Sequence, residues 1–131
     1  MKHVKIPSTW EAAQEAGQAV LKEVAEAGFD ESTMFSIRLA LEEGLINAVK
    51  HGNKMDPSKF VDLAYEITAE QVEIHLSDEG PGFNPCGVPD PTEDENLEKP
   101  SGRGIMLMRS FMDKVEYLED GKKVRMVKYR E

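Results

Sequence analysis

Glu43 and Asn47, in the run Glu42-Glu43-Gly44-Leu45-Ile46-Asn47-Ala48-Val49-Lys50-His51-Gly52, are the residues of this chain best spaced to do chemistry. On a helix they set a carboxylate and a carboxamide one turn apart on one face. The carboxylate could serve as a general base, and the carboxamide oxygen as a hard ligand to magnesium, which keeps several waters and needs few protein ligands. Downstream, Asp78-Glu79-Gly80-Pro81-Gly82 closes an alternating run, and Gly102-Arg103-Gly104 opens a short apolar segment. Asp78 has the parity of Val72, Ile74 and Leu76, so a continued strand points it inward, where a carboxylate needs a partner. An exocyclic amine such as adenine N6 would be one, with Gly80 and Gly82 letting backbone approach the base. Free N–H groups at a helix start favour anions, so Gly102, Arg103 and Gly104 can cradle phosphate, with Arg103 or Lys99 adding charge.

Each feature also has a plainer reading. A helical Glu and Asn are ordinarily solvated, and Asp, Gly and Pro are ordinary turn residues, as Asn84 would also be. Lone basic residues usually sit in solvent, and His51 suits the negative end of a helix dipole better than a phosphate contact. Against the solvated reading, a glycine inside a helix costs about 1 kcal/mol relative to alanine, so Gly44 beside Ala40 implies close approach of another group. There is no Gly-x-x-x-x-Gly-Lys-Ser/Thr loop and no His-Arg-Asp catalytic loop. Cys86 is the single cysteine, and His3, His51 and His75 fall on separate elements, which disfavours zinc.

The elements that must position these residues can be read from periodicity. Val4 and Ile6 make an edge strand, and Ser8-Thr9-Trp10-Glu11 offers a capping box for a first helix with Trp10, Ala13, Val20, Leu21, Val24 and Ala27 inward and Gly28 as its stop. Asp30 or Ser32 can cap a second helix to about Gly52, with Met34, Ile37, Leu41, Leu45, Ala48 and Val49 as core and Ser36, Ala40, Glu43, Gly44, Asn47 and His51 on the other flank. Val61 to Ile67 and Val72 to Leu76 alternate as a hairpin. Five of the seven prolines lie in residues 81–100, an acidic stretch without periodicity that reads as a mobile lid. Ile105, Leu107, Met108, Phe111 and Met112 form a third helix, followed by a terminal hairpin turning at Asp120-Gly121. The sum is an α+β two-layer sandwich: a mainly antiparallel mixed sheet with three helices on one face, the other face (Asp62, Glu66, Glu73, His75) left to solvent.

The 131 residues suit one domain, with a lid at about residues 83–101. A net charge of −9 argues against direct nucleic-acid or anionic-membrane binding. No apolar run spans a bilayer, the start lacks a signal-peptide core, and one cysteine forms no internal disulfide, so the expected location is cytoplasmic.

Glu43-x-x-x-Asn47-Ala48-Val49-x-His51-Gly52, Asp78-x-Gly80-x-Gly82 and Gly102-x-Gly104, in that order, resemble the N, G1 and G2 boxes of the Bergerat-fold ATPases, the GHKL superfamily. Within it the chain is similar to the anti-sigma-factor serine/threonine kinases, with Arg109-Ser110-Phe111-Met112-Asp113 after the last box. The resemblance implies ATP and Mg2+ as cofactors, Asn47 as metal ligand, Asp78 as reader of adenine, and Gly80, Gly82, Gly102 and Gly104 as shapers of the pocket. Glu43 would be the base that activates a substrate serine. The implied partners are an anti-anti-sigma (STAS-like) substrate and a sigma factor or similar regulator, with homodimer formation left open. A non-catalytic, nucleotide-dependent binding switch is the alternative, and a sensor histidine kinase a weaker one because a phosphoacceptor hairpin is lacking. Two departures stand out: Gly121-Lys122-Lys123 replaces the Thr or Ser that such proteins often use near adenine, and the lid is unusually acidic.

Overall fold

In the computed structural model, residues 1–80 and 102–130 are described. The lid at 83–101, and with it Gly82, Asn84, Cys86 and Lys99, lies outside them.

The sequence alternation becomes a five-stranded sheet in the order β1 (Lys2–Pro7), β2 (Phe60–Ile67), β3 (Gln71–Ser77), β5 (Lys123–Tyr129), β4 (Lys114–Leu118). Every neighbouring pair among the described strands is antiparallel. Both hairpins form: Leu63 faces Leu76 across β2 and β3, and Tyr117 faces Val124 across β4 and β5. The turn of the last hairpin is a short 3-10 segment, Glu119–Gly121, and its closing Gly121 has a φ of 86°, a conformation that favours glycine. Three helices, α1 (Trp10–Glu26), α2 (Glu31–Ile46) and α3 (Gly102–Phe111), complete the α+β sandwich.

The outer face is less bare than the alternation implies. Glu73 accepts from His75 at 2.7 Å and from Arg125 at 3.1 Å, and Arg125 also reaches Glu116 at 3.2 Å. These lie on neighbouring rungs of the ladder, where cross-strand charges of opposite sign are mildly stabilising.

At the start of α1 the cap is Thr9, whose hydroxyl accepts from the Ala12 N–H at 3.3 Å. The expected capping box does not form. Ser8 is instead fully buried and donates to the Lys59 carbonyl at 2.8 Å. Trp10 and Ala27 are exposed rather than inward, while Ala13, Val20 and Val24 carry the contact. Gly28, at a φ of 83°, ends the helix as its type requires.

Asp30 caps α2 by accepting from the Thr33 N–H at 2.8 Å. This helix is central, with α1 packed on one side and α3 on the other. Ile37, Leu41 and Leu45 are buried, as expected, but so are Ser36, Ala40, Gly44 and Asn47 on the second flank. At Gly44 the neighbours are bulky: a Cβ there would meet Leu76 at 2.6 Å and Met126 at 3.4 Å. The glycine therefore admits the sheet rather than a ligand.

Beyond Ile46 the second helix does not run on as an α-helix to Gly52. Asn47–Gly52 form a π turn, and the bond from the Asn53 N–H to the Ala48 carbonyl, at 2.9 Å, spans five residues. In an α-helix Gly52 would sit about 140° around from Asn47; a turn that takes in one more residue brings it back towards Asn47's flank.

Candidate functional site

Three of the expected site residues lie on two facing segments, Glu43 and Asn47 on α2 and the wide turn after it, and Asp78 after β3, where Gly52 of the turn meets Asp78. Glu43 is half-buried on the last regular turn of α2, and Asn47, 9% exposed, opens the π turn one helical step later. Asp78 follows β3 directly. The strand stops at Ser77, so Asp78 is not in the ladder, but its N–H still bonds the Lys122 carbonyl at 2.9 Å and fixes the residue beside the last hairpin.

The Asp78 side chain lies in a cradle of backbone. Its Oδ1 accepts from the Gly80 N–H at 2.8 Å. A Cβ on Gly52 would stand 2.4 Å from the Asp78 carboxyl carbon, and one on Gly80 would stand 2.1 Å from the Gly52 carbonyl oxygen. Both positions must therefore be glycine for these segments to close on the carboxylate. Burial pushes the Asp78 pKa up from the ordinary aspartate value, and the Gly80 N–H, Lys122 and Lys59 only partly oppose it. With Oδ1 engaged by Gly80, Oδ2 is the atom left to accept from a ligand.

Asn53 is the site residue that the sequence motifs missed. Completely buried, it donates through Nδ2 to the Ser8 hydroxyl at 2.9 Å and to the Phe60 carbonyl at 3.1 Å, and accepts from the Glu79 N–H at 2.7 Å. One side chain thus ties the end of the π turn to Ser8, which follows β1, to the start of β2 and to the Asp78 loop. Glu79 adds a bond from the Phe60 N–H, at 2.6 Å. The signal was present as an Asn after His51-Gly52, but an Asn following a helix reads first as a turn residue.

Asn47 supplies the other half of the site. Its Nδ2 is buried and completes no hydrogen bond of good geometry, while the amide lies close to the Tyr117 hydroxyl. Of the two ends of this carboxamide, only the oxygen is the hard neutral donor whose chemistry fits magnesium. Gly102, Arg103 and Gly104 do open α3, as expected, and α3 packs against α2. His51 is half-buried at the end of the π turn.

The chain is similar to several known proteins. The chain is 30% identical over 112 residues to the serine-protein kinase RsbW of Listeria monocytogenes serovar 1/2a, covering 80% of this chain and 71% of that one. It is 29% identical over 113 residues to the serine-protein kinase RsbW of Staphylococcus epidermidis, with the same coverage of 80% and 71%. A crystal structure of the RsbU and RsbW domains of a Mycobacterium tuberculosis protein superposes with a TM-score of 0.64 over 98% of this chain, at 19% identity. That likeness is one of fold, and the present chain spans 31% of the larger one. The model of the histidine kinase-like ATPase domain matches residues 6–128, so nearly the whole chain, including Glu43, Asn47 and Asp78, belongs to that family.

Proposed function

We propose that the chain is a cytoplasmic, Mg-ATP-dependent serine/threonine protein kinase of the anti-sigma type. It phosphorylates an anti-anti-sigma (STAS-like) partner and sequesters a sigma factor or similar regulator. The observation that carries this reading is the placement of Glu43 one turn before a buried Asn47, on the helix whose wide end closes over Asp78. Binding a nucleotide needs the acceptor and the glycines. It does not need a second carboxylate on the flank that carries the metal-binding amide.

In this reading Asp78 Oδ2 accepts from the exocyclic amine of adenine, and Gly52 and Gly80 hold the carboxylate there. Asn47 holds magnesium through its side-chain oxygen, and the metal, when bound, supplies charge neutralisation at the phosphates. Gly80 and Gly82 let backbone reach the base, while the N–H groups at the start of α3, Gly102 to Gly104, with Arg103 and Lys99, favour the phosphates. Glu43 orients the acceptor serine and takes its proton as the new O–P bond forms and the bond to the leaving ADP breaks. Most of the catalytic burden is then alignment and electrostatics, as in other phosphoryl transfers.

The test is incubation with labelled ATP, magnesium and a STAS-like domain that carries an acceptor serine. Wild type should label the serine. Glu43→Ala should bind Mg-ATP within about threefold of wild type yet lose transfer by about a hundredfold or more, the range of a general base. Equal transfer by both proteins would remove Glu43 from the mechanism, and binding without transfer by wild type would favour a nucleotide-dependent switch.

A further inference from the structure

Tyr117 belongs to none of the sequence motifs, yet the sheet delivers it to Asn47. Leu76 faces Val124 across β3 and β5, and Val124 faces Tyr117 across β5 and β4, so these three residues form one row on the helix side of the sheet. Gly44 rests on Leu76, at the start of that row. One turn further along α2, Asn47 brings its side-chain amide to the Tyr117 hydroxyl at the row's other end, and both groups are screened from solvent.

We propose that Tyr117 is a positioning residue: its hydroxyl oxygen takes the NH2 end of the Asn47 carboxamide and so turns the carbonyl oxygen towards the metal and phosphates. The inference rests on Asn47 being the magnesium ligand. A carboxamide can present either end to a cation, and only the oxygen end binds. Whatever holds the nitrogen therefore sets affinity. Both Asn47 Nδ2 and the Tyr117 hydroxyl are screened from solvent, and a phenolic oxygen can accept from an amide N–H. Metal binding at the carbonyl oxygen should draw the NH2 end closer to the hydroxyl.

Removal of such an orienting partner typically lowers metal affinity about tenfold or more. In Tyr117→Phe, which keeps the ring and its packing, the gain in ATP affinity conferred by magnesium should fall about tenfold. ATP affinity in EDTA and the Tm should stay close to wild type. A further readout needs no variant: in wild type, the Asn47 side-chain amide protons should show NMR cross-relaxation with the ring protons flanking the Tyr117 hydroxyl.

An unchanged magnesium gain in Tyr117→Phe overturns the inference. Should that variant fail to fold, absence of the cross-relaxation in wild type overturns it as well. Asn47→Ala separates this from the underlying reading: a magnesium gain that survives in Asn47→Ala means the amide is not the ligand, whereas loss in Asn47→Ala with retention in Tyr117→Phe means that only the positioning role fails.

Discussion

Asp78 shows how one residue's chemistry can be worked out from its surroundings. Its carboxylate is mostly buried and its pKa is raised, so between the ordinary aspartate value and the raised value the folded protein holds a proton that the unfolded chain has released. Stability contributed at this position therefore falls as pH rises through that window, and at neutral pH the ionised group is a net cost. Asp78→Asn should accordingly leave the Tm at pH 7 no lower than wild type while weakening ATP binding by more than about tenfold. The amide oxygen would still accept from Gly80, leaving its NH2 to confront the amine of adenine, and an unsatisfied donor pair costs about 1–3 kcal/mol. Thermal melts at pH 4 to 7 with ATP titrations check both halves. Gly52→Ala is a steric test of the same cradle, since its Cβ would stand 2.4 Å from the carboxylate. The expectation is a folded protein with ATP affinity reduced at least tenfold. At this scale the sequence was informative about residue type: Glu43, Asn47, Asp78 and Gly80 all fall at the end where α2 meets β3. The specific duty of Gly52 was not legible, because its neighbour Asp78 is far away along the chain.

At the scale of elements, α2 departs most from what its periodicity implies. Apolar spacing locates the helix and its Asp30 cap but does not distinguish an α turn from a π turn, because a single added residue leaves the hydrophobic pattern nearly intact. What holds the wide turn is Asn53, through contacts to Ser8, Phe60 and Glu79 that no local pattern contains. Asn53→Ala should therefore cost about 2–4 kcal/mol, the sum of lost bonds and newly unsatisfied buried groups, and should weaken ATP binding because Glu79 is released beside Asp78. Chemical denaturation with parallel ATP titration measures the two effects. A loss of stability with unchanged ATP affinity would mean that the turn and the Asp78 loop are not coupled. The capping box failed for a similar reason: Ser8 is claimed by Lys59 and Asn53, which leaves the cap to Thr9.

Across the whole molecule, α2, β3 and the terminal hairpin converge on one end of the two-layer sandwich, while the opposite end is fastened separately. There Arg130 donates to the Ala27, Gly28 and Ala69 carbonyls at 2.8, 2.9 and 2.6 Å and lies 3.9 Å from the Phe29 ring centroid. Lys2 and Tyr65 likewise share the Glu23 carboxylate, whose pKa they lower. Arg130→Ala should cost about 1 kcal/mol in denaturation and leave ATP binding unchanged, because the latch is exposed and remote from Asp78. The layer order was legible from alternation and helical spacing, since two hairpins and three helices leave few antiparallel arrangements; the polar latches, built from residues distant in sequence, were not. Among the described residues no helix is long and apolar enough to cross a membrane. The proposed function makes the end shared by α2 and β3 a magnesium-dependent nucleotide site. It is tested most directly by calorimetric titration of the wild-type chain and Asp78→Asn with ATP, with and without magnesium. Wild type should bind saturably and one-to-one, magnesium should strengthen that binding, and Asp78→Asn should largely abolish it; equal affinity in the two proteins, or no effect of magnesium on wild type, would rule the site out.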